Sequence, residues 1–292
     1  ASRQGLMTSA ACRLLCGLLV QGSLSACVAA ASAYPFLVTS EYSGGDYTLV
    51  ARNGGPAPVS VRLVLNDVEN IAPSRFLPVY AVVRPHSDYV LLQVRPAIPG
   101  RPYSFSSESL YSLGSFYAEH DARAVYRLPF ENGRRALVTQ GSDGPRITHT
   151  TADSEHAVDF TLPEGAPVVA ARDGIVIESE SANRLGGQNP VLLSRANFVR
   201  ILHADDTLAT YAHLAPGGVK VQVGQRVNAG SVIGRSGATG YASGPHLHFV
   251  VQKLLGSGEG FTRVSLPIRF YTGNPTRSFV PRYRQTVTAD YQ

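Results

Sequence analysis

From about Pro35 to Phe130 the chain runs in short alternations of apolar and polar residues broken by turn-forming clusters. Tyr47-Thr48-Leu49-Val50, Val59-Ser60-Val61-Arg62-Leu63-Val64-Leu65 and Tyr89-Val90-Leu91-Leu92-Gln93-Val94 are the clearest. A period of two marks strands with one buried face. Ser43-Gly44-Gly45-Asp46 lies between two such runs and predicts a hairpin turn. The second half keeps the rhythm: Val168-Val169-Ala170 and Gly174-Ile175-Val176-Ile177 flank an Asp173-Gly174 turn. Phe198 to Leu202 and Leu208 to Leu214 read as a hairpin across Ala204-Asp205-Asp206-Thr207, and Val219 to Gly234 repeats strand and turn. No stretch of helical periodicity of persuasive length stands out. The prediction is a mostly β chain, with a β-sandwich-like domain over 35–130 followed by an antiparallel β-sheet domain over 138–275. The boundary is placed between about Phe130 and Gln140, at the Glu131-Asn132-Gly133 turn, and 276–292 is expected to be a C-terminal tail. The polar segment Ser181 to Ala196, with Gly186-Gly187 and Asn189-Pro190, is long for a connection and is expected to rim a site.

At 292 residues the chain exceeds the usual single domain, which agrees with two domains behind a leader. Residues 1–33 read as an export signal: Met7, then Arg13, then the apolar run Leu14 to Val20, then small residues, too short for a stable transmembrane anchor. Two processing sites compete within it. Leu24-Ser25-Ala26-Cys27 resembles a lipoprotein box, in which Cys27 would become a lipidated, membrane-anchored first residue. Ala31-Ser32-Ala33 before Tyr34 fits ordinary signal cleavage, and the lipoprotein is slightly preferred. Cys12, Cys16 and Cys27 all fall in this stretch, so the body offers no disulfide, no cysteine metal ligand and no thiol nucleophile. The net charge of +5 comes from scattered arginines, Lys220 and Lys253 being the only lysines, so no nucleic-acid-binding patch is expected.

Six of the eight histidines lie between 149 and 248, while His86 and His120 are isolated. His246-Leu247-His248 opens a strand-like run, where residues two apart share a face, so both imidazoles project together. The same parity puts Tyr211 with His213. It also puts Ala157 with Asp159, and His156, Val158 and Phe160 on the opposite face. Zinc accepts neutral imidazole and carboxylate, and a catalytic site uses three protein ligands, so two histidines and one aspartate suffice. Other hydrolytic machineries are missing: there is no Gly-x-Ser-x-Gly elbow after a strand, no Ser-x-x-Lys and no His-Glu-x-x-His. A metal hydrolase survives elimination, although a histidine pair alone does not separate a site from surface histidines.

Over about Gln140 to Lys253 the sequence resembles the lysostaphin-type zinc metallopeptidases, which include the β-lytic peptidases. The resemblance rests on Gln140-Gly141, on Thr148-His149-Thr150 with Ala157-Val158-Asp159-Phe160, on Pro163-x-Gly165-x-Pro167-Val168-x-Ala170 and on Asp173-Gly174-x-Val176. It rests above all on Tyr211-Ala212-His213-Leu214 and on Gly237-x-Thr239-Gly240 with Ser243-Gly244-Pro245-His246-Leu247-His248-Phe249. It implies that 138–275 is a zinc metallopeptidase domain cutting peptidoglycan cross-links or stem peptides outside the cytoplasm. It also implies that Asp159 and His248 are metal ligands and that His213 and His246 are catalytic. The commonest pattern has a histidine four residues before the aspartate, where this chain has Glu155. A branch with an insertion matches His149, which becomes the expected third ligand, and His156 could replace it only through a bulge. Tyr211 and Asn197 lie close to these motifs, but a tyrosine on a strand is more often packing than catalysis. Two other readings compete. A biotinyl or lipoyl carrier would need an acceptor lysine in a hairpin, which neither lysine supplies, and a non-catalytic zinc-binding regulator of other wall hydrolases is the alternative within the family.

Overall fold

The computed structural model describes residues 14–16, 34–141, 143–144 and 148–291. The predicted export signal, apart from the Leu14–Cys16 strand, and both of its processing motifs, including Cys27, lie outside the described residues. Among the described residues there is no α-helix, only a 3-10 turn at Pro190–Leu192, and so no helix long and apolar enough to cross a membrane. The chain divides into two contact units, Ala1–Phe116 with Gly256–Phe261, and Tyr117–Leu255 with Thr262–Gln292.

The first unit is the expected sandwich, built among the described residues from two four-stranded antiparallel sheets. One orders Leu14–Cys16, Ser104–Leu113, Val59–Glu69 and Val79–Val83. The other orders Phe36–Ser43, Asp46–Asn53, Ser87–Pro96 and Ile71–Pro73. Alternation decides which side chains turn inward: Val59, Val61, Leu63, Val79, Ala81 and Val83 are buried, while Arg62 and Tyr80 between them are not. Each valine and leucine among them contributes roughly 1.5–3 kcal/mol on leaving water. Tyr47 of one sheet meets Phe105 of the other edge to face at 5.3 Å, and Phe36 meets Tyr111 at 4.8 Å. The predicted hairpin turn is present, with Ser43 paired to Asp46 and both Gly44 and Gly45 at positive φ, the left-handed conformation a two-residue turn needs.

Among its described residues the second unit rests on a nine-stranded sheet. Its order is Arg226–Val227, Gly174–Glu180, Asn197–Leu202, Leu208–Leu214, Leu247–Ser257, Val158–Phe160, Arg135–Gln140 and Thr286–Thr288, with Gly260–Ser265 paired to Leu247–Ser257. One face carries the core: Val199, Ile201, Ala209, Tyr211, Phe249 and Val251 alternate inward from three adjacent strands. Arg200, Thr210, Ala212 and His248 take the other face.

Two expected boundaries are corrected. The second unit begins at Tyr117 rather than beyond Phe130, because Tyr126, Leu128 and Phe130 are fully buried in its core, and Val125–Arg127 pairs in parallel with Arg269–Tyr271. Residues 276–292 are likewise not a tail. Ser278–Phe279 pairs with Arg269–Tyr271, Thr286–Thr288 pairs with Arg135–Gln140, and Val287 and Ala289 are buried. These strands have two or three residues each, too few for a period of two to register.

Candidate functional site

Asp159 stands directly opposite His248 where Val158–Phe160 pairs with Leu247–Ser257. Their neighbours Val158, Phe160, Leu247 and Phe249 fill the core, so alternation sends Asp159 and His248 out of the other face together. His248 Nδ1 lies 3.0 Å from Asp159 Oδ1. His149 arrives from the loop before Val158–Phe160, and its Nε2 lies 3.2 Å from the same carboxylate oxygen. One donor atom from each of the three falls within 4.8 Å of the others.

That loop is fastened at its far end. Gln252 Nε2 donates to the Asp153 carbonyl at 2.7 Å, Ser265 donates to the Ala152 carbonyl from both N (2.7 Å) and Oγ (2.8 Å), and the His156 N–H donates to Ser265 Oγ at 3.2 Å. Thus held, the loop buries His149 and leaves His156 apart from the cluster, with its Nε2 3.4 Å from Glu155.

These residues fit a zinc ion on two counts. Tetrahedral zinc with bonds of about 2.0–2.1 Å sets its ligand atoms about 3.3 Å apart, close to the separations around Asp159 Oδ1. His149 is only 4% exposed; its Nδ1 has no hydrogen-bond partner and its Nε2 has only the contact with Asp159, a state that costs about 1–3 kcal/mol unless something else satisfies it. Burial opposes ionisation of Asp159, but hydrogen bonds and charge from His149 and His248 outweigh it and hold the carboxyl well below the usual range. An ionised carboxylate beside a buried imidazole is a cation-binding arrangement.

The second pair of histidines is aimed differently. In the ladder between Asn197–Leu202 and Leu208–Leu214, Ala212 faces Phe198 and Leu214 faces Asn197, leaving His213 as an extra residue with φ +61°. The bulge overturns the expectation that Tyr211 and His213 share a face. Tyr211 is fully buried in the core, where its hydroxyl accepts from the Ala171 N–H at 2.7 Å and its ring packs 4.9 Å from Phe249. His213 turns the other way, its ring centroid 4.5 Å from His246 and 5.9 Å from His248.

Both of these imidazoles are held by carbonyl groups. His213 Nδ1 lies 2.7 Å from the Thr239 carbonyl and His246 Nδ1 lies 2.8 Å from the Gly244 carbonyl. A carbonyl only accepts, so each Nδ1 carries a proton, and in the neutral form of each ring the lone pair falls on Nε2. Burial, followed by the neighbouring His246 and His248, pushes the His213 pKa down to about 3, so the ring is neutral at physiological pH.

Sequence reasoning missed what holds the bulge. Thr239 Oγ1 donates to the Leu214 carbonyl at 2.7 Å and accepts the Asn197 N–H at 2.9 Å, while Asn197 Nδ2 reaches the Asn183 carbonyl (2.9 Å) and the Ala215 carbonyl (3.2 Å). Asn197 and Thr239, both buried, satisfy backbone groups that the broken ladder leaves unpaired. The only signal for Thr239 was its place in the Gly237-x-Thr239-Gly240 motif. The polar segment expected to rim a site does lie beside it: Gly186–Gly187 pairs in parallel with Gly240–Tyr241. A side chain at Gly186 would sit 1.7 Å from the Ala238 carbonyl oxygen, so only glycine permits that approach.

Residues 153–260 match the model of Peptidase family M23. The chain is 30% identical over 145 residues to the peptidoglycan DD-endopeptidase ShyA of Vibrio cholerae, a match covering 48% of this chain and 30% of the relative. It is 38% identical over 106 residues to the glycyl-glycine endopeptidase ALE-1 of Staphylococcus capitis, covering 36% of this chain and 26% of the relative. It is 35% identical over 119 residues to lysostaphin of Staphylococcus simulans, covering 41% and 22%. The matches thus span less than a third of each relative's length, and the family match begins four residues after His149.

Proposed function

We propose, from the match of residues 153–260 to Peptidase family M23, that this protein is a zinc-dependent endopeptidase that hydrolyses peptide cross-links or stem peptides of bacterial peptidoglycan. The observation that carries the reading is the cluster of the buried His149 and Asp159 with the partly exposed His248, with His213 and His246 beside it. The printed names of the relatives, a peptidoglycan DD-endopeptidase and a glycyl-glycine endopeptidase, support the substrate class and a site of action outside the cytoplasm.

In this reading His149, Asp159 and His248 hold zinc, which when bound acidifies water toward a pKa of about 7 and polarises a carbonyl. The rest of the chemistry falls to His213 and His246. Their Nδ1 protons are committed to the Thr239 and Gly244 carbonyls, which fixes both rings in orientation and tautomer. Each Nε2 is therefore available to take up a proton or to return it to the departing amine, and in its protonated form it donates to the oxyanion that develops on the scissile carbonyl. The strongly depressed pKa of His213 makes it a ready proton donor once charged, and its burial keeps it neutral until then. That all five residues are retained supports turnover over the non-catalytic regulator. The Leu24-Ser25-Ala26-Cys27 box supports anchoring to a membrane through a lipidated Cys27, which Cys27→Ser would abolish.

The test is digestion of purified peptidoglycan by the zinc-loaded protein, with mass spectrometry of the released peptides. New amino termini that disappear on chelation and return with zinc are expected. Stoichiometric zinc binding without peptide release would leave the regulator in its place.

A further inference from the structure

Asp159 offers two carboxylate oxygens, and the cluster uses only one of them. Oδ1 is the atom close to both His149 and His248, whereas Oδ2 accepts a hydrogen bond from Gln140 Nε2 at 2.6 Å. Gln140 ends the Arg135–Gln140 strand opposite Asp159, just past a register shift at Val138, so the irregularity delivers its side chain to the carboxylate. The same amide nitrogen lies 2.9 Å from Thr148 Oγ1, and its carbonyl Oε1 accepts the Thr148 N–H at 3.1 Å. Thr148 immediately precedes His149.

We infer that Gln140 is a positioning residue of the metal centre, whose single amide couples the orientation of Asp159 to the placement of the loop that carries His149. The inference rests on the zinc reading above. The chemistry suits the task. A primary amide has two N–H donors and one acceptor, and here one donor faces Asp159 Oδ2, the other Thr148 Oγ1, and the acceptor takes the Thr148 main chain. Capping Oδ2 with a neutral donor fixes the carboxylate plane and leaves Oδ1 directed at the two histidines, without adding charge to the site. The loop is secured independently at its other end, where Gln252 and Ser265 hold Ala152, Asp153 and His156. Gln140 therefore fixes the end of the loop nearest the ligand. Partners behind metal ligands typically command about 10–100-fold in metal affinity.

The experiment uses the full chain. Zinc affinity is measured by competition with a chromogenic chelator, and ligand geometry is read from the visible absorption of the cobalt-substituted protein. Gln140→Leu keeps the side-chain bulk and removes the hydrogen bonds to Asp159 and Thr148. It is expected to weaken zinc by about 10–100-fold and to alter the cobalt spectrum. Thr148→Val keeps the main-chain N–H and loses only the hydroxyl, so it should shift the spectrum in the same sense by less. A folded Gln140→Leu protein with wild-type affinity and spectrum overturns the inference. Should Gln140→Leu fail to fold, an unchanged spectrum in Thr148→Val overturns it equally, and a changed one upholds it. Failure of the wild-type protein to bind zinc or cobalt would instead strike the metal-centre reading itself, so the two outcomes are distinguishable.

Discussion

Asp159 and His248 sit opposite one another in an uninterrupted antiparallel ladder, whereas His149 and His213 reach the same small volume from a loop and from a bulge. The regular half needs only strand alternation to aim its side chains, and its neighbours Val158, Phe160, Leu247 and Phe249 secure it through the core. The irregular half needs helpers. Gln140, Gln252 and Ser265 hold the loop, and Asn197 and Thr239 hold the bulge. Regular pairing brings two functional groups together cheaply, but a third and a fourth must break the ladder, and each break demands buried polar residues to satisfy the backbone it frees.

The largest effects should ignore this division. Asp159→Ala, His248→Ala and His149→Ala each remove a proposed ligand, and each should lower zinc affinity by more than the roughly 10–100-fold commanded by residues behind a ligand, abolishing turnover with it. Equilibrium dialysis against buffered zinc checks this. If His149→Ala retains zinc while His156→Ala loses it, the loop half of the site has been assigned to the wrong residue.

Next come the two histidines held by carbonyls. His213→Ala and His246→Ala should bind zinc normally and lose about 10²–10⁴-fold in kcat, the range for general acid–base groups. Metal content and turnover measured on the same samples separate them from the ligands. Loss of zinc from His246→Ala would place that residue in the ligand set instead.

The turn end of the His213 hairpin provides a smaller, pH-dependent effect. His203 is buried with Nδ1 2.7 Å from the Asp173 carbonyl, and burial, followed by the Arg172 charge against the Asp173 bond, lowers its pKa from 6.5 to about 4. The unfolded chain therefore takes up a proton below about pH 6.5 while the folded one does so only below about 4. The contribution of His203 is complete above pH 6.5 and is lost as pH falls from 6.5 to 4, about 3 kcal/mol in total. Asp205, held at about 2 chiefly by Arg172 and Thr207 against the cost of burial, adds a further loss between pH 3.8 and 2. Urea unfolding of the metal-free protein across this range should show both windows, with the buried His213 adding to the upper one, and His203→Asn should reduce the decline in the upper window alone. An undiminished decline between pH 6.5 and 4 in that variant would rule out His203 as its source.

The smallest change tests the bulge itself. With Tyr211 in the core, Tyr211→Phe should leave kcat unchanged and cost about 1–3 kcal/mol of stability, because the buried Ala171 N–H loses its acceptor. A fall in kcat at constant stability would mean that Tyr211 and His213 act from one face after all.

Much of this protein is written in local pattern. Alternation along Val59 to Leu65 and Leu208 to Leu214, glycines in the Ser43 to Asp46 turn, and the His246-Leu247-His248 spacing determined by themselves that the chain is β-rich, where its hairpins turn and which face His248 takes, because strand geometry depends only on neighbours in sequence. Tertiary structure alone decided the rest. Tyr126 to Phe130 join the second core, and Thr286–Thr288 closes the sheet edge on Arg135–Gln140, through contacts far apart along the chain. His213 leaves the face of Tyr211 because Asn197 and Thr239, distant in sequence, satisfy the carbonyls of a broken ladder. Gln140 meets Asp159 because two strands pair out of register. A bulge inserts one residue and so inverts the parity on which a reading of alternation depends, and its stability comes from partners that alternation does not encode.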